Sequence, residues 1–178
     1  MEMTQKLKMN LEKAAVIVCL IVAFAAFCLT GCAQGTAEAP RLVELDPAVT
    51  AEDLAEYLTS EEPLELKLSG NVKLDTPIQV VGIKLLSGEG SLTAAKDMAG
   101  GYMLTMTEGA QLTVNPGVVI DGANLAGGIH NVAKSTLILG EQTTVCNASA
   151  SAANVLAEGN FDLNGGALLA AAGHNLIN

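Results

Sequence analysis

The sequence predicts an all-β protein: a short parallel β-helix (a solenoid) with a capping helix at its N-terminal side, preceded by an apolar export helix. Three observations carry this expectation. From Leu64 onward the chain is a series of short runs alternating apolar and polar residues, punctuated by Gly, Asn and Pro, which is the signature of strands and turns. In the second half these runs recur at a fixed interval: Leu112, Leu137 and Phe161 stand 25 and 24 residues apart, and so do Val114, Leu139 and Leu163. Finally, half of the 178 residues are hydrophobic, yet there is no Trp and there are only three Phe and two Tyr. A core of small aliphatic side chains suits tightly stacked, repeating layers.

In chain order, the first element is the export segment. Lys6, Lys8 and Lys13 precede a sixteen-residue run without charge at 14–29. A basic region followed by an apolar one is the layout of a secretory signal. The run falls short of the roughly 20 residues a membrane-crossing helix needs. It ends in Leu29-Thr30-Gly31-Cys32, which resembles the lipobox of bacterial lipoproteins: an aliphatic residue, two small residues, then cysteine. The resemblance implies that the Cys32 thiol receives diacylglycerol, that cleavage before it removes 1–31, and that palmitate-type chains hold the mature protein on the outer face of a bacterial cell membrane. Each buried CH₂ contributes about 0.8 kcal/mol, so two or more chains anchor stably. Cys28 competes poorly, because Phe27 puts a bulky ring where the motif takes a small residue.

Residues 32–49 read as a lipidated tether, with the small polar stretch 33–40 as its flexible part. The net charge of −10 excludes nucleic acid as a partner, since nothing could neutralise a run of phosphates. There is also no basic patch for anionic lipid, so membrane attachment falls to the lipid anchor. Of the four cysteines, Cys19 and Cys28 lie in the export segment and Cys32 carries lipid. Cys146 is left without a partner, so no intrachain disulfide is expected, and it reads as a small buried apolar residue.

The domain proper is expected at 50–178. It opens with a helix at 51–58: Thr50 is the N-cap, Glu52 and Asp53 suit the dipole of the first turn, and Leu54, Tyr57 and Leu58 form one apolar stripe. Glu61-Glu62-Pro63 ends it. Strands follow around Leu64–Leu68, Val72–Leu74, Ile78–Val80, Leu104–Met106, Leu112–Val114, Leu137–Leu139 and Phe161–Leu163. The repeat also aligns Val119, Thr144 and Leu168, then Ile120, Val145 and Leu169. A second series, His130-Asn131, Ala153-Asn154 and His174-Asn175, puts asparagines 23 and 21 apart. Stacked amides could bond along the axis as a ladder; three independent turn residues is the other reading.

Gly127-Gly128-Ile129-His130-Asn131, Ser135-Thr136-Leu137-Ile138-Leu139 and Gly165-Gly166-Ala167-Leu168 resemble the degenerate repeats of bacterial surface proteins with a pectin-lyase-like β-helix. The helix at 51–58 followed by 66–72 is similar to the capping segment and first coil of such domains. The resemblance covers roughly 50–178 and implies a right-handed solenoid. An antiparallel β-sandwich is the alternative fold. Asn175-Leu176-Ile177-Asn178 reads as the first strand of another coil, so the domain is expected to be incomplete at this end, and the open coil is expected to self-associate.

Enzymes of the family that these repeats resemble use an arginine base with carboxylate-bound calcium, or clustered aspartates. Here the one arginine, Arg41, falls in the tether. In the predicted register Asp121 aligns with Cys146 and Ala170, and Asp162 with Ile138 and Thr113, so no acidic pair forms. The coils holding Asp75, Asp97 and Glu108 follow no fixed interval, so the repeat assigns these acids no register. His130 and His174 recur in phase with the asparagines and read as solvent-facing turn residues rather than metal ligands. No catalytic residue, metal or cofactor is therefore expected. The function expected is that of a non-catalytic, lipid-anchored cell-surface protein, an adhesin binding host or cell-surface glycan or protein. The alternative is a fragment of a polysaccharide lyase or glycoside hydrolase.

Overall fold

The computed structural model describes residues 39–98 and 101–178. The export segment and Cys32 lie outside the described residues. The chain from Ala39 onward is an all-β parallel solenoid of about 6 turns. Its strands are β1 (Arg41–Glu44), β2 (Leu64–Leu68), β3 (Asn71–Leu74), β4 (Ile78–Val80), β5 (Ile83–Gly88), β6 (Ser91–Ala94), β7 (Tyr102–Met106) and β8 (Gln111–Val114). They continue with β9 (Val119–Asp121), β10 (Gly127–Asn131), β11 (Thr136–Leu139), β12 (Thr144–Cys146), β13 (Ala153–Ala157), β14 (Asn160–Leu163), β15 (Ala167–Leu169) and β16 (His174–Ile177). The single helix among the described residues, α1, spans Ala51–Thr59.

The strands sort into three parallel sheets, one on each side of the coil. The first runs β1-β2-β5-β8-β11-β14, the second β3-β6-β9-β12-β15 and the third β4-β7-β10-β13-β16. Each coil therefore contributes one strand to each sheet, and side chains stack on their equivalents one coil away. Leu112 pairs with Leu137 and Leu137 with Phe161, and Val114 pairs with Leu139 and Leu139 with Leu163, as the repeat predicts. Leu112, Val114, Leu137 and Leu139 are fully buried. The antiparallel sandwich is thereby excluded, because every pairing among the described residues is parallel.

Two registers differ from the sequence expectation. Thr144 pairs with Ala167 and Val145 with Leu168, one residue earlier than predicted, so Cys146 lies beside Leu169 rather than Ala170. The Asn164-Gly165-Gly166 turn takes one residue fewer than its counterpart a coil before. In the third sheet Ile129 pairs with Val155 and Asn131 with Ala157, so Asn131 does not stack on Asn154. Gly128 stands there instead. A Cβ on it would collide with the Asn154 carbonyl oxygen, so the bare backbone is what lets these two coils close.

The helix forms as its cap predicts. The Asp53 N–H donates to Thr50 Oγ1 (3.2 Å) while the Thr50 N–H donates to Asp53 Oδ2 (3.1 Å), a reciprocal capping box. Leu54 and Leu58 are buried, and α1 packs on β3 and β4. The segment expected as tether contributes a strand: β1 pairs with β2 along its whole length, Arg41 beside Leu64 through Glu44 beside Lys67. In the last coil Leu163, Leu169, Leu176 and Ile177 are exposed.

Candidate functional site

The outward side of the third sheet brings an aromatic ring, an imidazole and a carboxylate together. Register places Gln79, Thr105, His130, Leu156 and Ile177 in one row across five strands. His130 Nε2 lies 3.0 Å from Glu158 Oε2, the carboxylate arriving from the turn after β13. The Tyr102 ring sits 5.5 Å from the imidazole at a 42° tilt. Gly127, paired with Tyr102, makes room for that ring, since a Cβ there would come within 2.5 Å of two ring carbons. A phenol, an imidazole and a carboxylate are thus held together by neighbouring coils. An aromatic body with polar tips is the surface that stacks on apolar faces and hydrogen-bonds hydroxyls or amides. Both histidines lie on strands rather than at turns, His130 in β10 and His174 in β16. His174 pairs with Ala153 in a different row, and the two histidines do not come together. Among the described residues no group of His, Cys, Asp and Glu is placed to hold a metal ion.

The aspartates are used locally. Asp121 Oδ1 accepts from the Ala123 N–H (2.8 Å) and from Asn147 Nδ2 (2.9 Å). Ala123, Asn124 and Asn147 have left-handed φ of 51°, 60° and 53°, so this carboxylate pins two successive turns in a conformation that costs non-glycine residues energy. Its neighbours in register are Thr93 and Cys146. Burial, and then the Asp121 carboxylate, push the Cys146 thiol above its ordinary pKa. Asp162 lies beside Ile138, and Ile138 beside Thr113, as predicted.

Arg41 is committed to Glu62, with Nε–Oε1 at 2.6 Å and Nη2–Oε2 at 3.0 Å; that bidentate pair raises the guanidinium pKa and lowers the carboxyl. Lys67 bonds Glu44 at 2.9 Å beside an open hollow of about 370 Å³ that Asp46 and Ser69 also line. Inside, Asn154 Nδ2 donates to Asn175 Oδ1 (3.0 Å), and Asn154 Oδ1 accepts the Ala148 N–H (3.0 Å). One rung of the expected amide ladder therefore exists. Asn131 makes its own bonds, donating to the Asn160 carbonyl and accepting from Ser135.

The geometry defines the class: a parallel β-solenoid of about 6 turns. No known protein family, curated protein or solved structure matches this chain. Sequence reasoning missed Tyr102 and Glu158, since they meet His130 only through coil stacking. A bulky aromatic one coil before a glycine was the available signal.

Proposed function

We propose that the chain is a lipid-anchored bacterial cell-surface protein whose pectin-lyase-like, right-handed β-helix binds a glycan or protein without catalysis, as an adhesin does. The export segment is removed, Cys32 carries the lipid, and α1 caps the anchored end of the stack. Anchoring rests on Leu29-Thr30-Gly31-Cys32 following a basic and then an apolar region. Binding rests on one observation, the Tyr102, His130 and Glu158 cluster on the outer side of the third sheet. The non-catalytic reading is favoured over a lyase or hydrolase because Arg41 is paired with Glu62, and because Asp121 and Asp162 have no acid beside them in register.

Two measurements test this. Cys32→Ser should leave uncleaved precursor that incorporates no labelled palmitate; continued labelling would remove the anchor from the proposal. On an array of host and bacterial glycans and matrix proteins, the chain should show a ligand whose binding Tyr102→Ala reduces by about tenfold or more, a normal loss for a central aromatic contact. Binding that ignores both Tyr102→Ala and His130→Ala would move the site elsewhere.

A further inference from the structure

Lys84 stands in a stacked row that is hydrocarbon at its other positions from Leu64 to Phe161. In the first sheet the inward row runs Leu64, Lys84, Leu112, Leu137 and Phe161. The lysine is only 1% exposed, and no carboxylate bonds it. Its ammonium instead donates to three backbone carbonyls: Ser60 O at 2.7 Å, Glu62 O at 2.9 Å and Val81 O at 2.7 Å. The first two belong to the loop leaving α1, the third to the turn between β4 and β5. Two further contacts join the same pieces. The Val81 N–H donates to Leu58 O at 2.9 Å, and Gly82, at φ +64°, lies so close to the loop that a Cβ would stand 3.0 Å from Glu61 O.

What lies beneath gives this corner its meaning. β1 covers β2, the first full-coil strand of the first sheet, but β3 and β4 are the outermost strands of the other two sheets at this end. Among the described residues it is α1 that packs on both. An uncovered strand presents a row of unpaired N–H and C=O groups, a template for a further strand.

We propose that α1 and its trailing loop form a strap over the strand ends at β3 and β4, that the strap opens as a unit while the coils stay folded, and that Lys84 is the clasp that holds it shut. The chemistry follows from the side chain. An ammonium has three donors on one atom and can serve three converging acceptors, which no apolar residue in this row could do. Without it three partly buried carbonyls lose their donor, and the nearest relief is for the loop to swing out to water, taking α1 with it. The coils beyond β5 keep their ladders and have no reason to follow. The open state exposes the ends of the second and third sheets to strand addition.

Native-state hydrogen exchange on the full chain tests this, with wild type and Lys84→Met compared. In the wild type the amides of Leu54 and Val81 should exchange through one shared opening, well before the amides of Leu112 and Leu137. In Lys84→Met, which keeps the volume and removes the donors, protection at Leu54 and Val81 should fall by about tenfold or more. Protection at Leu112 and Leu137 should stay within about twofold. Unchanged protection at Leu54 and Val81 would overturn the proposal, as would equal loss across all four positions. Should Lys84→Met fail to fold, the lysine holds the whole stack and the separate strap is refuted. Wild-type exchange of Leu54 and Val81 only through global unfolding would refute it too.

Discussion

Leu137→Ala should cost the fold about 3–5 kcal/mol, whereas Leu163→Ala should cost about 1.5 kcal/mol or less. Leu137 is fully buried, with Leu112 one coil before it and Phe161 one coil after. Truncating a buried leucine costs about 2–5 kcal/mol, the upper part applying where the walls cannot collapse into the space. Here the walls are strands held about 4.8 Å apart by their ladders, so the cavity stays open. Leu163 belongs to the neighbouring inward row but lies in the last coil and is 45% exposed. Full burial of a leucine is worth about 1.5–3 kcal/mol, and here roughly half is lost to exposure and no enclosed hole is left. Urea unfolding followed by circular dichroism gives both values, provided the slope is compared as well as the midpoint. Equal losses at the two positions, or a loss below about 1 kcal/mol at Leu137, would refute the stacked-row account of the core.

Three further outcomes are expected. Asn154→Ala removes the partner of the Ala148 N–H and of Asn175 and should cost about 1–3 kcal/mol in the same assay; a loss within error would mean that the rung carries no weight. Because burial and Asp121 raise the Cys146 pKa, the thiol should react with a thiolate-specific reagent far more slowly than a free cysteine at pH 8, and Asp121→Asn should quicken it; the free-cysteine rate in the wild type would contradict this. Asp53 is held below the ordinary aspartate value by its bonds to the Thr50 hydroxyl and backbone. Its share of stability is present above the unfolded pKa and is lost as pH falls through the lowered folded value, so Asp53→Asn should flatten the acid side of the stability profile, and an unchanged slope would count against the capping box.

The sequence made the second half of the solenoid legible and hid the first, and the structure shows why. Leu112, Leu137 and Phe161 are separated by nearly equal steps, so the register could be found by counting. Leu64 to Lys84 is a step of 20 and Lys84 to Leu112 one of 28, so the same row has no fixed interval earlier on. Lys84 also interrupts the apolar series at the place where a leucine would have marked the coil. β1 escaped notice because Arg41-Leu42-Val43-Glu44 has only two apolar residues and no partner pattern within its own segment. The asparagine series breaks at Asn131 because the coil step there is 26 residues, not 23, so Gly128 rather than Asn131 stands opposite Asn154. The cluster around His130 was invisible for a related reason: Tyr102, His130 and Glu158 each stand more than twenty residues apart, and only coil closure joins them.

The unequal coils carry a consequence for how such a molecule can change over time. Steps of 20 and 28 residues feed the same ladder because the sheets demand three strands per coil and nothing of the links between them. Lengthening a link is cheap, since each doubling adds only about 0.6 kcal/mol of closure entropy. The turn between β7 and β8, with Glu108 and Gly109 exposed at its tip, belongs to the 28-residue step. A lineage could therefore insert, shuffle or delete sequence at this corner, acquiring new surface there, while the interior rows above and below are inherited untouched.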